Sequence, residues 1–145
     1  MLKSPKVFFL FVFLSLILLK LNAQIIIEAK VDKDKVETGE IFTYTVKIKG
    51  EFEDPKIVLP KFKNFKIISQ NQTKSYSFKE GRIEVEFDLV YELIASKPGV
   101  FKIEEVIVKD KGKRYKSNSI IIQVEGRPLE EKKKILPYIE KGIEI

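Results

Sequence analysis

The sequence contains no cysteine, no histidine and no tryptophan among its 145 residues, and only one methionine. Without cysteine and histidine, the chain cannot form thiol nucleophiles, Ser-His-Asp triads, histidine proton shuttles or zinc sites of the His/Cys type. Disulfide bonds are excluded as well, so a folded domain must depend on hydrophobic packing. The composition therefore disfavours catalysis, and it predicts no catalytic, cofactor-binding or metal-binding residues.

The first 23 residues have the composition of a secretory leader. They hold three lysines and no acidic residue, and an apolar run from Val7 to Leu19 is interrupted only by Ser15. This run is shorter than the roughly 20 residues that a membrane-spanning helix needs. A basic start, an apolar centre and a small residue at Ala23 predict a signal peptide (residues 1–23) that is cleaved after Ala23. The alternative is an uncleaved leader that attaches the chain to the membrane.

Both alternatives place the rest of the chain outside the cytoplasm, in the periplasm or on the outer face of the cytoplasmic membrane. The remaining 122 residues carry 24 basic and 21 acidic side chains. No basic stripe extends over the whole domain, and nucleic acid is therefore not a predicted partner.

Alternation of apolar and polar residues predicts an all-β domain over residues 24–125. The clearest example is residues 83–93, where every second residue is apolar and Phe87 and Tyr91 share the inward side. No amphipathic helix interrupts the pattern, and short strands separated by turn residues are typical of an antiparallel immunoglobulin-like β-sandwich. The predicted strands are 25–31, 41–49, 56–59, 65–69, 74–79, 83–94, 100–103, 106–109, 113–115 and 119–124.

The composition changes after Gly126. Arg127 and Pro128 lead into a charged run, and Pro137 prevents a long helix beyond it. Residues 126–145 are therefore predicted to be a C-terminal tail or a linker.

Several features occur in a fixed order along the predicted domain. They are a Gly-Glu pair before alternating aromatics, a Leu-Pro pair before further aromatics, a strand ending in Tyr-Glu-Leu, a Pro-Gly-Val-Phe segment and a closing strand. The residues are Gly39, Glu40, Phe42, Tyr44, Leu59, Pro60, Phe62, Phe65, Tyr91, Glu92, Leu93, Pro98, Gly99, Val100, Phe101, Ile120, Ile122 and Val124. In this order the chain resembles the first exported domain of BatD, the oxygen tolerance (aerotolerance) protein of bacterial Bat operons.

The resemblance implies a module that works outside the cytoplasm beside membrane proteins with von Willebrand factor A domains and a MoxR-type ATPase. No catalytic residue is known for the family, so none is transferred to this chain. The predicted partner is therefore an exported or membrane-anchored protein of the von Willebrand A type, and the predicted function is non-enzymatic protein interaction.

Two loops are the predicted places of partner binding, because loops carry recognition in sandwiches. They are residues 50–55 and 60–65, and the candidate residues are Phe52, Glu53, Asp54, Phe62 and Phe65. Glu51, Glu53 and Asp54 form the densest acidic cluster, but they lack the spaced ligand pattern of a calcium loop. A solvated loop is the preferred interpretation of this cluster.

Two other classes of function are alternatives. An exported carbohydrate-binding module would need exposed aromatics on one platform, for which the sequence offers Phe52, Phe62, Tyr76 and Tyr115. A hydrolase using carboxylates alone would need two acids facing each other across a cleft. The acids from Glu84 to Glu92 instead share the outward side of one predicted strand.

The export prediction can be tested directly. If the leader is cleaved as predicted, mass spectrometry of the exported protein finds Gln24 as its first residue. An intact Met1 on membrane-bound protein would reject cleavage in favour of the anchor.

Overall fold

Ten β-strands make up most of residues 24–130, the part of the chain that the computed structural model describes. The predicted signal peptide (1–23) and residues 131–145 of the predicted tail lie outside this part. In chain order the strands are β1 (Ile26–Val31), β2 (Lys35–Glu37), β3 (Phe42–Gly50), β4 (Lys56–Val58), β5 (Phe65–Lys79), β6 (Arg82–Ala95), β7 (Gly99–Ile103), β8 (Ile107–Asp110), β9 (Lys113–Lys116) and β10 (Ile120–Glu125). Between residues 24 and 130, no helix has the length and hydropathy of a membrane span.

The strands form two layers. One layer is an antiparallel sheet with the strand order β1-β3-β6-β5. The other consists of two three-stranded sheets, β2-β10-β7 and β4-β8-β9. These two join at a corner, where the N–H of Ser117 donates to the carbonyl of Val106 and the N–H of Val106 donates to Ser117 Oγ, both at 2.8 Å. The fold is an immunoglobulin-like β-sandwich, as the alternation predicts.

Alternation on β3 and β6 builds the core between the layers. Every second residue of β3 is buried, and so is every second residue of β6 from Val85 onward. The register pairs Tyr44 with Tyr91 and Ile48 with Phe87, which places all four side chains on one face. Phe87 and Tyr91 are only 5% and 7% exposed, which confirms their predicted inward orientation. The opposite layer covers them with Val36, Ile103, Val106, Val108, Ile122 and Val124.

The predicted strands 65–69 and 74–79 are one continuous strand, β5. Residues 70–73, which show no apolar alternation, pair with Tyr91, Val90, Leu89 and Asp88 of β6. The long, regular β6 supplies backbone partners whatever the side chains are, so the polar stretch continues as an edge strand. A bulge between Ile67 and Ser69 is the irregularity in this pairing.

Strand β2 is a second difference from the sequence-based expectation. It runs parallel to β10, with Val36 beside Val124, within a sandwich whose other strand pairs are antiparallel, and the predicted strands do not include it. Three residues with one buried side chain are too short a pattern to reveal a strand.

The first residues of the predicted tail contact the sandwich. The hydroxyl of Thr38 donates to the carbonyl of Arg127 at 2.6 Å, and the N–H of Leu129 donates to the carbonyl of Ser96 at 2.8 Å. These bonds fix the chain on its exit from β10. The predicted domain boundaries remain predictions.

The core contains one hydroxyl without a partner. The Tyr44 side chain is fully buried, and its hydroxyl forms no hydrogen bond to any residue that the structure describes. Burial, and to a lesser degree the nearby Tyr91, raises the pKa of Tyr44 to about 12. A hydroxyl that loses water and gains no partner destabilises the folded state.

We expect Tyr44→Phe to raise the free energy of unfolding by roughly 1 kcal/mol, because the ring stays and the unpaired hydroxyl is removed. Urea unfolding measures the change. Tyr76→Phe, at an exposed position, is the matched control and should change stability by less than about 0.5 kcal/mol.

The same variant changes the pH dependence of stability. Tyrosine in an unfolded chain ionises near pH 10. The unfolded state therefore loses the Tyr44 proton first, and stability falls as the pH rises from about 10 to about 12. Tyr44→Phe should show a smaller fall over this range than the unmodified protein. Identical slopes for the two proteins would contradict this account of Tyr44.

Candidate functional site

The loop of residues 60–65 carries the chain from β4 in one layer to β5 in the other. Pro60 has no N–H to donate to a neighbouring strand, so pairing stops here. The N–H of Lys63 then donates to the carbonyl of Lys61 at 2.9 Å, and the N–H of Phe65 donates to the carbonyl of Phe62 at 3.2 Å. These local bonds hold a turn in which both lysines are exposed and both phenylalanines are at least partly buried.

Phe62 and Phe65 fasten this loop to the core. The ring of Phe62 lies 5.5 Å from that of Tyr44 and 5.4 Å from that of Tyr91. The ring of Phe65 meets that of Phe101 edge-on at 5.8 Å. Aromatic pairs of this kind contribute about 0.5–1.5 kcal/mol each beyond the area they bury. Phe62 and Phe65, which the sequence predicts as binding residues, therefore also fix the loop to the core at two points.

A groove of about 470 Å³ separates the loop from β7. Loop residues 61–65 form one wall and residues 100–104 form the other. Phe62, Phe65 and Phe101 provide apolar surface along it. A smaller groove of about 250 Å³ shares Phe65 and Phe101 and continues to Ser96 and Lys97. We call the two together the β7 groove.

The rim of the β7 groove is positively charged. Its basic residues are Lys61, Lys63, Lys66, Lys97 and Lys102, and its acidic residue is Glu104. Glu104 lies 3.7 Å from Lys102, and both side chains are more than half exposed, so this ion pair is weak. Among the described residues, no carboxylate lies within salt-bridge distance of the other four lysines.

Strand β7 also presents a free edge. Within residues 24–130 it pairs with β10 alone, and its Val100 is 70% exposed. A strand edge carries N–H and C=O groups that have no partner in the sheet. The β7 groove therefore combines apolar, cationic and backbone hydrogen-bonding groups, which is the set that an interaction surface uses.

The loop of residues 50–55 lies apart from the β7 groove. Phe52 packs edge-on against Tyr115, with ring centroids 6.3 Å apart. The buried carboxylate of Asp110 accepts the N–H of Asp54 at 2.8 Å and that of Glu53 at 3.3 Å. Asp110 thus fixes the backbone of this loop, a role that the sequence does not reveal because Asp110 stands among lysines.

The acidic side chains of this loop face separate cations. Glu51 lies 3.7 Å from Arg82, and Glu53 lies 2.6 Å from Lys111, a hydrogen bond that raises the pKa of Lys111. Within the described part of the chain, no three His, Cys, Asp or Glu side chains are grouped so that they could hold a metal ion.

The structure thus divides the predicted binding residues between two places. Phe62 and Phe65 line the β7 groove, whereas Glu53 and Asp54 border a separate pocket of about 420 Å³ with Lys56, Lys109 and Lys111. Partner binding at either loop remains a prediction. Sequence reasoning missed the opposite wall, although the exposed side of β7 gives a signal in its alternating Val100 and Lys102.

The four aromatics considered for carbohydrate binding are dispersed. Phe52 and Tyr115 pack on each other, and Phe62 packs on Tyr44 and Tyr91. Of the four, Tyr76 alone is classed as exposed, at 58%. They do not form one aromatic platform.

Comparison with known families gives a match over most of the domain. The sequence profile described as "BatD DUF11 like domain" matches residues 29–124, a range that begins in β1 and ends in β10. The chain belongs to this family. The matched range of the BatD domain contains both walls of the β7 groove and the loop that Asp110 holds.

Two solved structures show a likeness to this chain. One is the cupredoxin domain of amoB from Nitrosocaldus yellowstonii, with 13% identity, 74% of this chain and 90% of that chain covered, and a TM-score of 0.45. The other is a non-cellulosomal cohesin from the hyperthermophilic archaeon Archaeoglobus fulgidus, with 14% identity, 72% and 93% coverage and a TM-score of 0.40. Comparison with the curated proteins finds no match.

Loss of the Asp110 carboxylate should loosen the loop of residues 50–55. We expect Asp110→Ala to lower the free energy of unfolding by about 1–3 kcal/mol, because two backbone N–H groups lose their acceptor. Asp110→Asn keeps one acceptor oxygen and should cost less. Chemical denaturation measures both changes. Asp34→Ala, at an exposed side chain, is the control, and an equal effect at the two positions would show that Asp110 has no such role.

Proposed function

We propose that this BatD domain is an exported, non-enzymatic protein-interaction module. It acts in the periplasm or at the outer face of the cytoplasmic membrane, with membrane-anchored von Willebrand A-domain proteins and a MoxR-type ATPase system. Membership of the BatD family supports this class of partner. The β7 groove is the observation that carries the proposal, and it is the surface that we assign to partner binding.

Three properties of the β7 groove support this assignment. Its apolar side chains are held in place by the core, so binding need not order them first. Its lysines lie at the rim, where charge favours encounter with an oppositely charged surface. Its β7 edge offers backbone groups that a partner can satisfy.

The chemistry of the groove also supports a non-enzymatic role. The whole sequence has no histidine or cysteine. Glu104 is the one carboxylate among the residues that line the groove, and it faces Lys102. A pair of carboxylates across a cleft, which hydrolysis of a glycosidic bond requires, is therefore not assembled there.

Charge reversal at the rim tests the proposal. We expect the double variant Lys61→Glu, Lys63→Glu to reduce capture of a membrane von Willebrand A-domain protein from the same organism. Because both side chains are exposed, the fold should survive. The change should appear mainly as a slower association rate, on the order of tenfold, with altered salt dependence. The association rate is measured with the partner attached to a sensor surface and the BatD domain in solution.

The matched control is Lys113→Glu, Arg114→Glu, which makes the same change in net charge at exposed positions on β9. Equal loss in both double variants would indicate a general charge effect. Unchanged association of the Lys61→Glu, Lys63→Glu variant would reject the β7 groove as the binding surface.

A further inference from the structure

Strand β5 is exposed along nearly its whole length. It has 15 residues, and every one after Phe65 is exposed. At about 3.3 Å per residue, its free edge is roughly 50 Å long. Within residues 24–130, β5 pairs with β6 alone. The side of β5 that faces the opposite layer is exposed as well, so that layer does not cover it.

The end of the β5–β6 hairpin presents apolar side chains on this uncovered side. β3 ends at Gly50, opposite Val85, and the hairpin continues beyond it. Phe78 is 77% exposed, and it is paired with Ile83, which is 52% exposed. Tyr76 lies on the same side two residues before Phe78. The core-facing side of the sheet thus extends past the core without a cover.

Charge is distributed unevenly along this part of the chain. Residues 55–79 include six lysines and no acidic residue. Nine ion pairs occur among the described residues, and none of them involves a lysine of this segment. Lys74 instead lies 5.1 Å from the ring centroids of both Tyr76 and Phe87, on the uncovered side of the sheet.

We propose that β5 is a docking edge for an extended, acidic segment of a partner protein. The segment adds beside β5 as a fifth strand of the sheet β1-β3-β6-β5, and its backbone satisfies the free N–H and C=O groups of the edge. On the uncovered side it places a carboxylate near Lys74 and apolar side chains against Tyr76 and Phe78. This surface is distinct from the β7 groove.

The charges decide between this occupant and a second copy of the chain. Two copies of β5 would place six lysines along one seam, on both faces of the sheet and with no acid of either strand between them, because each strand contributes Lys66, Lys74 and Lys79. Like charges across a strand pair are destabilising, whereas opposite charges stabilise it. The same lysines that oppose self-association therefore favour an acidic strand.

Synthetic peptides test the proposal without knowledge of the natural partner. The probe is a capped peptide of about ten residues, a length that covers an ordinary strand. Its alternate residues are glutamate in one half and valine in the other, with threonine between them, so that glutamate and valine share one face. The controls are the same peptide with lysine in place of glutamate, and the glutamate peptide N-methylated at two pairs of consecutive residues, which blocks both of its edges. Fluorescence anisotropy measures binding to the full chain. We expect the glutamate peptide to bind on the order of tenfold more tightly than either control.

A charge-reversal variant tests the assigned place. Lys74→Glu should weaken binding of the glutamate peptide and strengthen binding of the lysine peptide. Lys109→Glu makes the same change in net charge and should leave both affinities nearly unchanged. Two single proline variants test the edge itself. Adjacent N–H groups of a strand point to opposite edges, so one of Asn71→Pro and Gln72→Pro removes an outward N–H and the other removes one that faces β6. The variant that removes the outward N–H should keep its melting temperature and lose peptide binding.

Several results would overturn the proposal. One is equal binding of the three peptides, and another is unchanged peptide affinity in Lys74→Glu. A third is peptide binding by the proline variant that keeps its melting temperature. The last is a dimer of the unmodified chain in sedimentation that is absent from this proline variant. Loss of peptide binding in Lys61→Glu, Lys63→Glu alone would place the peptide in the β7 groove. The proposed function does not depend on these results, because its own test uses the von Willebrand A-domain protein.

Discussion

The pairing of β3 with β6 is the contact on which the other parts of the sandwich depend. It joins nine residue pairs, from Phe42 with Leu93 to Gly50 with Val85, and it supplies most of the buried face of the four-stranded sheet. Within residues 24–130, β1 pairs as a strand only with β3, and β5 pairs only with β6. A shift of this register by one residue would turn one apolar face toward water. Without disulfides, the chain relies on this alternation for its stability.

The same core determines where a partner can bind. Tyr44 and Tyr91, adjacent across β3 and β6, form the surface on which Phe62 packs, so the loop of residues 60–65 is placed by the core. The apolar part of the β7 groove is thus continuous with the interior. Substitutions there would alter stability together with binding. The exposed lysines at the rim are the side chains through which binding can change while the fold remains.

Electrostatic asymmetry links the β7 groove with β5. Residues 55–79 carry six lysines and no acid, whereas the rest of the chain after residue 23 carries 18 basic and 21 acidic side chains. The segment of excess positive charge includes one wall of the groove and all of β5. Elsewhere, ion pairs such as Lys33 with Glu40 neutralise surface charges. Both proposed surfaces therefore favour acidic partners, and the lysines limit association between copies.

The class of fold and the residues of its core could be predicted from the sequence. The two-residue period of residues 83–93 is a local property, and it correctly places Phe87 and Tyr91 inside. Family resemblance was also readable, because its motifs are local and ordered along the chain. The inclusion of residues 70–73 in β5 could not be predicted, because it depends on pairing with β6 and not on a local pattern of apolar residues. The β7 groove likewise required the fold. Its walls are separated by more than 30 residues and meet because the core brings Phe65 against Phe101.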